Sequence, residues 1–236
     1  MAKFGGAALG LFRKAAPWFR SRAARGGGRR GPQLLAGVDD EAARYALRRR
    51  GQIPLVGLRP QRVHLLEGGN TPLTAAQQAA MREGHQQIDR LLREAGGRPL
   101  GRYEIRVAMR HVNPTGNKRN CAEVALAVDD ILAGRAAVAG ARARGVPIPQ
   151  ARGAYQGLAS DRMTGLSSLD DVERLIAANP GARGIIVARG GEGAGHVYNV
   201  ANVGGRMSYL DGQFMRMADT NPHAARFSQY DFYRTG

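Results

Sequence analysis

The sequence predicts an α+β fold in which helices precede a small antiparallel sheet. Three observations carry this. Apolar residues recur at helical spacing in 74–95 and again in 121–133. Three strand-like runs, 183–189, 196–202 and 206–210, follow one another across short glycine-rich connections, as in an antiparallel meander. The single cysteine, Cys121, falls at the start of the second helical segment, directly behind a turn-rich loop.

The chain divides into three parts by composition. Residues 1–37 form a basic leader, expected to be disordered. Up to Pro32 it has no acidic residue and sets Phe4, Phe12, Trp18 and Phe19 among arginines. The stretch 8–25 is also of the kind that lies on anionic membranes as a basic amphipathic helix, although Pro17 would kink it. The run 26–32 is glycine-rich and reads as a linker. Residues 38–100 form a helical extension. Acidic residues open a short helix at 39–50 and arginines close it, in keeping with the helix dipole. After a proline-containing loop, 74–95 carries Ala80, Ile88, Leu91, Leu92 and Ala95 at helical spacing, and Gly96-Gly97 stops it. Residues 101–236 form the main domain. Tyr103, Ile105 and Val107 alternate with Glu104, Arg106 and Ala108, the period of a half-buried strand. The segment 113–117, Asn-Pro-Thr-Gly-Asn, is a loop, and Asn120 is a good N-cap for the helix that Cys121 begins. Its apolar stripe is Val124, Val128, Ile131 and Leu132, and Gly134 ends it. Pro147 and Pro149 mark 145–165 as loop. Ser167 or Ser168 caps a helix through Ala178, and the three strands follow.

Bulk composition narrows the partners. Thirty-five basic residues against 19 acidic give a net charge of +16, which attracts anionic surfaces without selecting one. The excess is mostly arginine, which a GC-rich coding sequence also produces, so the charge is discounted as a sign of specific nucleic-acid binding and none is expected. No run of apolar residues is long enough to span a membrane, and no clear signal peptide is present. With one cysteine there can be no intramolecular disulfide and no cysteine-based zinc cluster.

A lone cysteine is by default a small buried hydrophobe. At a helix start, however, unpaired N–H groups and the dipole favour the thiolate and lower the pKa. A cysteine nucleophile also needs a base, and the base needs an orienting group. Of the five histidines, His196 stands at the head of the strand Val197-Tyr198-Asn199-Val200. Asp211 ends the following strand, and a hairpin would return it to His196 to fix the imidazole tautomer. Gln213 is a neighbouring amide able to orient the histidine or donate to an oxyanion. Singly these residues are weak signals; in this order, loop-Cys-helix, strand-His, strand-Asp-x-Gln, they form a specific pattern.

The Asn113-Pro114-x-x-Asn117 element leading into Asn120-Cys121, the Gly195-His196-Val197-Tyr198-Asn199 strand and Leu210-Asp211-Gly212-Gln213 resemble the papain-fold toxin family, C-terminal domains of bacterial polymorphic toxins and secreted effectors. The resemblance covers roughly 110–213. It implies a papain-like α+β fold with the nucleophile at a helix start, packed on the sheet. It further implies a cysteine-dependent protein-glutamine deamidase acting through a thioester. By resemblance Cys121 is the nucleophile, His196 the general base and acid, Asp211 the orienting acid, and Gln213 a supporting amide. No cofactor and no metal is implied. The implied partners are a target protein carrying a reactive glutamine and a cognate immunity protein, after secretion or delivery into the cytoplasm of a target cell. Peptidases of this fold carry a glutamine upstream of the cysteine; here that loop offers Asn113, Asn117 and Asn120 instead. A cysteine peptidase or transglutaminase on the same scaffold, and a non-enzymatic basic protein that binds nucleic acid or membrane, are the alternatives.

Overall fold

The computed structural model describes residues 72–191 and 195–236. The expectations for the leader, for the helix at 39–50 and for the proline-containing loop after it lie outside the described residues, as does the centre of the glycine-rich run 190–195.

Helix α1, Ala75–Glu94, begins with a capping box: Thr74 Oγ1 accepts from Gln77 N at 3.2 Å, and Gln77 Oε1 accepts from Thr74 N at 3.0 Å. It buries Met81, Gly84 and Ile88 along one face. Gly96 and Gly97, both with positive φ, terminate it as expected.

The first correction follows. Residues 102–109 are not a strand but helix α2, Arg102–Met109. The buried positions are Ile105, Ala108 and Met109, an i, i+3, i+4 set, whereas Tyr103, which the strand reading had to bury, is 79% exposed. Six residues of alternation fit either period, and packing against α1 and α3 decided it.

Helix α3, Cys121–Leu132, forms as expected and is enclosed: every residue from Ala122 to Ile131 is buried. Gly134, at φ 78°, closes it. The stretch 145–165 differs from the expected loop. It contains helix α4, Ile148–Gln156, and strand β1, Asp161–Leu166. Pro149 sits in the first turn of α4, where its missing N–H costs nothing, so a proline that looked like a breaker starts the helix. Helix α5, Asp170–Ala178, carries Asp170, Asp171 and Glu173 in its first turn. Leu169 occupies its N-cap position, while the Ser168 hydroxyl accepts from Asp170 N at 3.3 Å.

Strands β2 (Arg183–Arg189), β3 (His196–Val203) and β4 (Arg206–Asp211) form the expected meander. Two further strands, β5 (Arg216–Ala218) and β6 (Gln229–Arg234), complete an antiparallel sheet in the order β1-β6-β2-β3-β4-β5. The period-2 alternation of β2 and β3 feeds two cores. Ile185, Val187, Val197, Ala201 and Leu210 pack with α1 to α4. Ile186, Ala188, Tyr198, Val200 and Tyr209 pack with Val172 and Ile176 of α5. No helix among the described residues is long and apolar enough to cross a membrane.

One contact ties this packing to the site. Gly212, just past β4, lies under the valines of α3 and the preceding loop. A Cβ there would stand 2.6 Å from Val124 Cγ1 and 2.9 Å from both Val112 Cγ1 and Val128 Cγ2. Gly212→Ala is therefore expected to cost about 1–3 kcal/mol by overpacking. A chemical-denaturation midpoint equal to that of the parent would show that α3 is not seated this closely on β4.

Candidate active site

Three chain segments meet where α3 begins, β3 begins and β4 ends. α3 supplies Cys121, whose side chain is partly exposed although it packs on the helical core. β3 supplies His196 and the Val197 amide, and β4 supplies Asp211.

Asp211 is the hub. Its Oδ2 accepts from His196 Nε2 at 2.8 Å and from His223 Nε2 at 2.7 Å. Its Oδ1 accepts the backbone N–H of Gln213 at 3.1 Å and of Phe214 at 3.3 Å. Burial raises a carboxyl pKa, but the hydrogen bonds from the two histidines outweigh it and hold Asp211 well below the usual carboxylate range. An ionised carboxylate only accepts, so both Nε2 atoms carry hydrogen and the lone pair of a neutral His196 lies on Nδ1. Among the described residues, no hydrogen bond occupies Nδ1. The native-state gain from ionised Asp211 is present above the ordinary carboxyl pKa and is lost as pH falls through the depressed one.

His223 was not anticipated. It comes from the irregular segment between β5 and β6, is buried, and meets the His196 ring edge-on at 4.7 Å between centroids. Tyr198 backs both imidazoles, at 5.8 Å from His196 and 4.9 Å from His223. Asn221 fixes the approach, accepting from Tyr198 Oη at 3.0 Å and from His223 N at 3.0 Å. His196, Asp211 and His223 could together ligate a metal ion, but their mutual hydrogen bonds account for the arrangement without one.

The thiol departs from expectation. Desolvation pushes the Cys121 pKa up to about 11, and the negative charges of Glu123 and Asp211 add to it. The backbone N–H groups of Val197 and Ala122 favour the thiolate, as a helix start should, but they do not overcome burial. Burial thus favours the neutral thiol in the free protein. Alkylation of Cys121 by iodoacetamide is expected to accelerate about tenfold per pH unit from pH 7 to 10, because the thiolate fraction does so below the pKa. A rate flat across that range would mean a thiolate already formed at neutrality.

Asn120 and Gln213 also act differently from expectation. Asn120 occupies the N-cap position of α3, but its side chain makes no capping bond. Instead Asn120 Nδ2 donates to Asn113 Oδ1 at 2.9 Å and to the Gly140 carbonyl at 2.6 Å. Gln213 Nε2 donates to Asn120 Oδ1 at 3.2 Å, so its amide reaches the residue before Cys121 rather than His196. Asn113 and Asn117 continue the network, donating to the carbonyls of Asn117 and Arg142 respectively. Arg142 in turn pairs with the buried Glu123 in the first turn of α3. This chain of amides ties the Asp211 turn to the helix start.

The thiol at the start of α3 meets the backbone N–H of Val197, the residue next to the carboxylate-anchored His196; cysteine hydrolases use a thiol and an anchored imidazole for acyl transfer. Residues 119–214 match the model of a family described as papain fold toxin 1, glutamine deamidase. Cys121, His196, Asp211 and Gln213 lie inside the matched segment; His223 lies beyond it. No curated protein and no solved structure matches the chain.

Proposed function

We propose that the chain is a cysteine-dependent protein-glutamine deamidase of the toxin or effector kind, with Cys121 as nucleophile, His196 as base and acid, and Asp211 as orienting acid. The observation that carries this reading is the buried His196–Asp211 hydrogen bond at the strand end whose next amide, Val197 N–H, faces the Cys121 thiol.

The reaction runs by acyl transfer. As a glutamine side chain enters, His196 Nδ1 takes the thiol proton and the sulfur attacks the amide carbon. The raised thiol pKa supports a proton transfer within the attack step rather than a resting ion pair. Asp211 stabilises the imidazolium and keeps Nδ1 turned outward. The oxyanion is met by the Cys121 backbone N–H, a first-turn donor without an intrahelical partner, and by a second donor. His196 returns its proton to the departing nitrogen. Ammonia leaves and a thioester joins Cys121 to the substrate. Water, deprotonated by His196, then attacks the thioester; glutamate is released and the thiol is restored. Gln213 serves as a positioning residue, holding Asn120 and through it the helix start. The match to a toxin family supports delivery into a target cell; a target protein carrying a reactive glutamine and a cognate immunity protein complete the proposal.

Mass spectrometry of a protein treated with the full chain tests this. Conversion of a glutamine to glutamate is expected. Backbone cleavage or amine incorporation would instead assign the site to a peptidase or a transglutaminase.

A further inference from the structure

A groove of about 670 Å³ is lined by Arg106 of α2 and Arg110 at its C-cap, by Met215 just before β5, by Arg216 and Met217 of β5, and by Pro222. Two of its lining residues adjoin residues of the reaction centre along the chain. Pro222 precedes His223, and Phe214, next to Met215, touches the His196 ring at 5.6 Å between centroids.

Four properties mark it as a binding surface. Arg106, Arg110 and Arg216 are exposed, and none makes a salt bridge among the described residues, although Arg216 lies over the Phe214 ring at 6.0 Å from its centroid. The neighbouring carboxylate, Asp219, is held by Arg102 at 2.6 Å and Arg206 at 2.5 Å and feels Arg106 only at longer range, so its single charge is shared among three cations. The exposed large apolar side chains gather here: Tyr103 lies one turn before Arg106 on α2, and Met215 and Phe214 stand on the facing turn at 61% and 40% exposure. Met215 is also the one described non-glycine residue with positive φ, at 56°. Such a backbone is held against its preference by its surroundings, a feature that gathers at functional sites.

We propose that this groove docks an acidic, partly apolar segment of the target protein, next to the glutamine that enters the site. The proposal rests on the deamidase reading. Three exposed cations with no salt-bridge partner call for carboxylates, and the Met215 and Met217 thioethers adapt to apolar side chains between them. The chain's own first 32 residues contain no carboxylate side chain to offer it. Docking here is binding energy remote from the reacting amide, so it should govern KM more than kcat.

The experiment uses the full chain and two peptides with a central glutamine, one flanked by glutamates and a leucine, the other by serines. Ammonia release gives KM and kcat, and fluorescence anisotropy with Cys121→Ala protein gives binding without turnover. The acidic peptide is expected to bind about tenfold more tightly and to show a correspondingly lower KM, a preference that 0.5 M salt shrinks. Arg106→Glu with Arg110→Glu should erase the preference and leave both kcat and the serine-peptide values within about twofold; both side chains are exposed, so the melting temperature should hold. Equal binding of the two peptides, an equal loss for both in the double variant, or displacement of the acidic peptide by a tighter-binding single-stranded oligonucleotide would overturn the proposal. Preferential binding without ammonia release from either peptide would leave docking standing and remove the deamidase reading.

Discussion

Cys121→Ala is expected to reduce ammonia release from glutamine by at least about 10⁴-fold while the protein stays folded. The substitution removes the one thiol in the chain, and no other side chain shares its position at the start of α3. Where nucleophile and base act as a unit, loss of the nucleophile costs nearly all the catalysis that the unit provides, leaving only what binding and oxyanion donors supply. Stability should change little, since the side chain is small, only partly buried, and exchanged for a methyl group in a helix that alanine favours. Toxicity in cells should disappear with the activity. Retention of turnover within tenfold of the parent would place the chemistry elsewhere.

The second large effect is expected from Asp211→Asn. An amide of the same shape can still accept through its oxygen, but it lacks the charge that stabilises a protonated His196, and its NH₂ would face the Gln213 and Phe214 amides that Oδ1 now accepts. The amide must either oppose those two donors or rotate and oppose two imidazole N–H groups. Rotation forces His196 into the other tautomer, with hydrogen on Nδ1, where it cannot take the thiol proton. A fall in kcat of roughly 10²–10⁴ is expected, with KM for a glutamine peptide changed far less. A melting temperature below the parent's is expected as well, because four donors converge on this carboxylate. A variant with parental kcat would show that His196 needs no anionic partner.

The residues of the proposed mechanism were legible because each sits on a locally patterned element. Val124, Val128 and Ile131 mark α3 and so place Cys121 at its start. The alternation of β3 and β4 marks a hairpin that returns Asp211 to His196. His223 carried no such mark. It follows Asn221-Pro222 in a segment without periodicity, and only the path of the chain between β5 and β6 brings it to Asp211. Its proximity is a tertiary fact with no local correlate.

The misread elements fail for related reasons. α2 is eight residues long, and its alternation over 103–108 satisfied the strand period until the core selected Ile105, Ala108 and Met109. α4 hid behind Pro147 and Pro149, which look like breakers unless they are placed at a helix start. β6 is a single run near the end of the sequence, yet it lies between β1 and β2 in the sheet, a non-local pairing that short-range pattern does not report. The thiol pKa was misjudged because a helix terminus is a local feature and desolvation is a property of the assembled core. The former was visible at Cys121; the latter dominates there.

Acid quenching during turnover of a glutamine peptide, followed by digestion and mass analysis of the fragment bearing Cys121, addresses the chemistry most directly. The account predicts the substrate acyl group, less ammonia, in thioester linkage to that cysteine, and no such adduct in Cys121→Ala. Ammonia released at the parental rate with the Cys121 fragment never modified would contradict it.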